Sequence, residues 1–232
     1  MYTVDYSLNE AQSTHKQLIV LDLNGTLVYR EKRSGGGRVM VPRPGLDDFL
    51  DFALKNFAVM VWSSAQPASV LGMLDAGFGE YANQLVRVWD RRFCDLDGDY
   101  FDRSSSVKDL RRITNGFNLS QSPNRTAYRS YNGYTGVNTE NPGQWKLEDI
   151  ILIDDSESKA FLQKDNHVFI STFSGQTYDS ELNTLQTYLQ KYLDNKDNFP
   201  HLLDYIKQSP WLDYRKEATR TNTDEIDMSI SD

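Results

Sequence analysis

Carboxylates are the first residues to weigh. Asp22 ends the run QLIVLD and is followed by Asn24, Gly25 and Thr26, and Asp154 and Asp155 end the run IILIDD. A carboxylate at the end of a buried strand, beside the outward-pointing amides of a turn, can attack phosphorus once a cation neutralises the phosphoryl oxygens. A second pair of acids at another strand end offers hard oxygen ligands for Mg2+. Ser63 and Ser64 follow FAVMVW, where a hydroxyl can bond a phosphoryl oxygen, and Lys108 can offset its charge. Each residue also has a plainer use. Asp-x-Asn-Gly-Thr makes a good turn, Asp154 and Asp155 suit a helix N-cap, Ser63 and Ser64 can cap the helix opened by Pro67, and a lone lysine is usually solvated. Their order, with the acids and serines at the ends of separate apolar runs, favours a shared site.

Positioning them requires strands that end together. Short apolar runs at 17–22, 57–65, 85–90 and 150–155 read as buried strands. Between them, GLDDFLDFALKN (45–56), PASVLGMLDAGFGEYAN (67–83) and SSSVKDLRRIT (104–114) read as helices. SESKAFL begins another after Asp155, and two amphipathic helices lie in YDSELNTLQTYLQKYL and FPHLLDYIKQ. This alternation predicts an α/β fold with a central, mostly parallel sheet and helices on both faces. Ligands bind such folds outside the carboxyl ends of the strands. The run CDLDGDYFD (94–102) has acids at alternate positions, but Ser106 falls where a calcium loop needs glutamate. It reads instead as a hairpin or flap turning at Asp-Gly. Residues 116–144 read as a long polar insertion, 1–15 as an N-terminal tail and 213–232 as a polar C-terminal tail around a domain of 16–212.

Composition bounds the remainder. The chain of 232 residues carries a net charge of −8, which argues against a general nucleic-acid binder. Cys94 has no partner, so no disulfide staples the fold, and a reducing compartment, nucleus or cytoplasm, is expected. No apolar run approaches the roughly 20 residues of a membrane span. Basic residues exceed acids between Arg87 and Arg129, which fits either steering of a phosphorylated substrate or a solvated face. The three histidines lack ligand spacing, and a monomer is expected.

LDLNGTLV (21–28), VWSSA (61–65), VKDLRR (107–112) and ILIDDS (151–156), in this order, resemble the haloacid dehalogenase superfamily. More narrowly, with PRPGLDDFL and DSELNTLQTYLQ, the chain resembles the small C-terminal-domain phosphatases, the NLI-interacting-factor-like branch that includes phosphatases of the RNA polymerase II tail. The resemblance covers approximately residues 16–209 and implies a Rossmann-like domain with a small flap and no large cap. It implies Mg2+-dependent hydrolysis of protein phosphoserine or phosphothreonine through an aspartyl phosphate. Asp22 would be nucleophile and metal ligand, Lys108 the motif lysine, and Asp154, Asp155 and the Asn24 carbonyl the other metal ligands. Thr26, Ser63, Ser64, Lys108 and Arg91 would meet the substrate phosphate, with Ser63 in place of the usual threonine. A phosphorylated protein or peptide is the implied partner, and nuclear placement rests on the resemblance alone.

The chain departs from that pattern at Asn24, where the family has an aspartate acting as general acid and then general base. An amide does neither, and such help is worth about 100-fold to 10,000-fold. Three readings stand open. Asn24 marks a divergent phosphatase, a weak pseudophosphatase that binds phosphopeptides as a scaffold, or an engineered substrate trap.

Overall fold

The computed structural model describes residues 16–98, 104–116 and 144–230. The strands that carry the acids and serines form one five-stranded sheet. Its members are β1 (Leu18–Leu21), β4 (Ala58–Trp62), β5 (Arg87–Trp89), β8 (Ile150–Asp154) and β9 (His167–Phe169), in the order β5-β4-β1-β8-β9. All four pairings are parallel. β1, β4, β5 and β8 are buried along their whole length, as continuous apolar runs without alternation require in a sheet covered on both faces.

The two faces are covered differently. On one, Ile19, Leu21, Val59, Val61, Ile151 and Ile153 pack against α1 (Leu46–Asn56), α2 (Pro67–Gly77), α4 (Glu181–Asp194), α5 (Leu202–Gln208) and the start of α6 (Trp211–Ile230). α1 buries Leu46, Phe49, Leu50 and Ala53, the i, i+3, i+4, i+7 stripe of an amphipathic helix. The other face, through Leu18, Val20, Met60, Trp62 and Leu152, meets Phe93, Cys94, Trp145, Ala160 and the one-turn helix α3 (Arg111–Thr114). Among the described residues, helical cover on that face is thus α3 and short 3-10 turns. Each large apolar side chain withdrawn from water in these two clusters contributes about 1.5–3 kcal/mol.

Two hairpins stand apart from the sheet. β2 (Val28–Lys32) and β3 (Arg38–Pro42) pair antiparallel, as do β6 (Asp95–Asp97) and β7 (Ser105–Val107). The second is the hairpin expected at 94–102, with its returning strand in the three serines read as a helix start. Ser106 pairs with Leu96 and is buried, so Ser105–Val107 is strand and helix begins only at Arg111. The helix expected over 67–83 stops at Gly77, and Gly79 at φ +48 leads into a 3-10 turn to Gln84. SESKAFL forms a 3-10 turn over Glu157–Ala160 in place of the expected helix. Residues 213–230, read as a polar tail, continue α6. Trp211 anchors that helix by donating from Nε1 to the Phe169 carbonyl at 2.8 Å. The insertion, apart from Gly116 and Gln144, and the N-terminal tail lie outside the described residues.

Candidate active site

Register brings the predicted residues to one edge. Leu21 lies opposite Val61 on one side and Ile153 on the other. One step further, the Asp22 N–H donates to the Ile153 carbonyl at 3.0 Å, beside Asp154, and Ser63 leaves β4 next to the same turn. The chain then doubles back. The N–H groups of Thr26, Leu27 and Val28 all bond the Leu23 carbonyl, and Gly25 sits at φ +88, which L side chains rarely adopt. A Cβ on Gly25 would fall 2.5 Å from Asp155 Oδ2, so the missing side chain also makes room for that carboxylate. Among the described residues the N–H groups of Leu23, Asn24 and Ser64 carry no hydrogen bond. They are donors for an anion at the strand ends.

Lys108 joins the pieces. Its side chain is fully buried, and Nζ donates to Asp22 Oδ1 at 2.7 Å and to Asp154 Oδ2 at 2.6 Å. It enters from the end of β7, where its N–H bonds the Lys159 carbonyl at 2.9 Å. Gln163 fixes the next turn by accepting from the Leu110 N–H and donating to Asp109. Asp154 also accepts from the Ser156 N–H, and Asp155 exchanges two 3.1 Å bonds with Thr26, one to Oγ1 and one from it. Thr26, expected at the phosphate, is therefore buried against Asp155 as its brace.

Two acids, Asp22 and Asp154, share one ammonium, and Asp155 lies beside them. Burial raises the Asp22 carboxyl most, Lys108 pulls it back, and Asp154 and then Asp155 raise it again, to about 7. Burial lowers Lys108, but Asp154 and Asp22 more than offset this and hold it well above its usual range. Ligand oxygens of Asp22, Asp154 and Asp155 lie within 4.8 Å of one another. Their donor set is all oxygen and anionic, and Asp22 Oδ2 and Asp155 Oδ2 are engaged by no hydrogen bond among the described residues. Hard ligands short of positive charge suit a divalent cation of the Mg2+ kind.

The remaining residues are placed as follows. Ser63 is buried and its Oγ accepts from the Ala65 N–H at 3.2 Å, leaving its own O–H to donate; Ser64 is half-buried beside it. Asn24 is exposed, and its Oδ1 accepts from Arg30 Nε at 2.7 Å. Arg91 is buried and donates to Ser104 Oγ at 2.7 Å, with no hydrogen bond to the acidic cluster. Lys108 sits before α3 as expected, although it arrives from a strand.

Two arginines escaped the sequence reading. Arg30 is half-buried beside Asn24, and the alternation of cations at Arg30 and Lys32 within one strand was its signal. Arg43 is fully buried, with Nε and Nη2 on the two oxygens of Asp179 at 2.8 Å and Nη1 donating to the Thr26 and Ser171 carbonyls at 2.9 Å. It ties the turn after Asp22 to the segment before α4. An arginine between two prolines ahead of an apolar helix was the only hint of that burial.

Comparison with known proteins adds to this geometry. An uncharacterized FCP1 homology domain-containing protein of Schizosaccharomyces pombe is 28% identical over 223 residues, covering 92% of this chain and 84% of that protein. Among solved structures, Fcp1, described as an essential RNA polymerase II CTD phosphatase, gives a TM-score of 0.46 at 12% identity over 90% of this chain. The chain spans about half (55%) of that structure. A 3-deoxy-D-manno-octulosonate 8-phosphate phosphatase from Moraxella catarrhalis gives 0.43 at 11% identity over 83% of this chain and 96% of that one. The pattern of the NLI interacting factor-like phosphatases matches residues 17–200, most of the chain and every strand of the central sheet. The chain therefore belongs to the NLI interacting factor-like phosphatase family.

Proposed function

We propose that this chain is a Mg2+-dependent phosphomonoester hydrolase acting on phosphoserine or phosphothreonine in proteins, with Asp22 as nucleophile. The observation that carries the proposal is the fully buried Lys108 bridging Asp22 and Asp154, segments remote in sequence, beside unpaired backbone amides. Asp22, Asp154 and Asp155, with the Asn24 carbonyl, would hold Mg2+, which when bound would neutralise charge on the phosphoryl oxygens.

The chain's own groups supply the rest. Lys108 holds Asp22 by Oδ1 and leaves Oδ2 to attack phosphorus, forming the aspartyl phosphate as the P–O ester bond breaks and the leaving oxygen takes a proton from solvent; water then attacks the phosphorus, releasing phosphate and restoring the Asp22 carboxylate. The amides of Leu23, Asn24 and Ser64 and the Ser63 hydroxyl bind the transferring oxygens, where charge grows in the transition state. Thr26 keeps Asp155 in place, and Arg91 donates to Ser104. The expected test is acid quenching after incubation with an aryl phosphate. A hydroxylamine-sensitive phosphoryl group on the peptide containing Asp22, found by mass spectrometry, supports the scheme. Phosphate release without such a label, with Asp22 dispensable, removes it.

A second reading, weak turnover with retained phosphopeptide binding, is favoured by Asn24. Its amide transfers no proton to the leaving oxygen and activates no water. The aspartyl phosphate would then form on good leaving groups and persist.

A further inference from the structure

The β2–β3 hairpin carries Arg30, Lys32, Arg33 and Arg38 against one acid, Glu31, on a chain of net charge −8. Lys32 lies directly opposite Arg38, and Arg30 opposite Met40, so Arg30, Lys32 and Arg38 share one face. Like charges placed directly across an antiparallel pair destabilise it. Among the described residues no carboxylate pairs with any of these cations. Four basic residues between Arg87 and Arg112 differ. Arg92 pairs with Asp90, Arg111 with Asp109, Arg112 with Asp95 and Lys108 with Asp22 and Asp154.

The unneutralised face reaches the acidic site. Arg30 Nε bonds the side chain of Asn24, two residues from Asp22. Surface charge that only protected the free edges of a two-stranded ribbon would serve equally well on either face. Stacking on one face, with the innermost member half-buried at the turn after Asp22, is what an anion-binding surface requires.

We propose that Arg30, Lys32 and Arg38 form a second anion site, continuous with the Asp22 site, that takes a phosphate or carboxylate carried on the same peptide as the phosphorylated residue. This rests on the phosphatase reading and narrows its substrate to peptides with two anionic groups. Lys32 and Arg38 lie one ladder step, about 7 Å, beyond Arg30, and an extended peptide advances about 3.4 Å per residue. The second anion therefore belongs about two to four residues from the phosphorylated one.

The test is binding rather than turnover. Fluorescence anisotropy with the Asp22→Asn protein, in Mg2+, compares labelled peptides bearing one phosphoserine, two phosphoserines three residues apart, or one phosphoserine and a glutamate at that spacing. The doubly phosphorylated peptide should bind about tenfold more tightly than the singly phosphorylated one, and the glutamate peptide in between. Adding Lys32→Ala and Arg38→Ala should reduce that advantage to less than about twofold, as should raising the salt several-fold. An advantage that is absent, or equal in both proteins, overturns the proposal. A single-stranded oligonucleotide that binds the hairpin more tightly than the doubly phosphorylated peptide overturns the peptide assignment. Phosphate release from an aryl phosphate by the unaltered chain tests the Asp22 reading separately.

Discussion

Lys108 and Asp22 are one electrostatic unit, and altering either exposes the other. Lys108→Met leaves Asp22 and Asp154 buried and facing each other without a cation. Breaking a buried pair in this way costs about 3–5 kcal/mol, which urea unfolding in EDTA should register. Mg2+ should return part of that loss. The Asp22 carboxyl, raised to about 7 from 3.8, gives a pH dependence with a definite sign. Without metal the folded chain holds this proton more tightly than the unfolded chain. The associated stability is full below about pH 4 and is lost as pH rises through about 7. Mg2+ competes with the same proton, so the rise in Tm on adding Mg2+ should be larger at pH 8 than at pH 6; a rise independent of pH would contradict it. Asn24→Asp should increase phosphate release from a phosphoserine peptide by about 100-fold or more, and less from an aryl phosphate with its better leaving group. Equal rates before and after the change would mean that another group supplies the proton.

The elements act by what their ends present. The turn after β1 is set by Gly25, so Gly25→Ala meets both the positive φ and the carboxylate of Asp155. The expected cost is about 1–2 kcal/mol from the backbone, with weaker Mg2+ binding by calorimetry because Asp155 must move. Arg43→Met takes the guanidinium from the half-buried carboxylate of Asp179 and frees the Thr26 carbonyl, for a loss of about 2–3 kcal/mol in urea unfolding. At this scale the strands were easily read, since buried parallel strands are continuous apolar runs bounded by polar residues. The serines at 104–106 misled because cap residues and hairpin residues share a composition. Only the partner strand, with Leu96 opposite Ser106, decides between them. Residues 215–230, read as a polar tail, are helix. They lack an apolar stripe, and their helix follows from Trp211 on β9 and from Tyr214 stacked with it and packed on Tyr188.

Across the whole molecule, the site was legible where strand ends converge and illegible where hairpins approach. Asp22, Ser63, Asp154 and Asp155 could be placed together because a parallel sheet puts all its carboxyl ends on one side. Arg30 and Arg43 could not, because their contacts depend on how the β2–β3 hairpin folds back, which no local pattern encodes. No described helix is long and apolar enough to cross a membrane. The structure is a scaffold that brings three carboxylates, Asp22, Asp154 and Asp155, and one ammonium to a single edge. The most direct measurement is Mg2+-dependent phosphate release from an aryl phosphate and a phosphoserine peptide, with the unaltered chain beside Asp22→Asn. The expected result is release by the unaltered chain and none above background from Asp22→Asn. Release at the full rate by Asp22→Asn would contradict a nucleophilic Asp22.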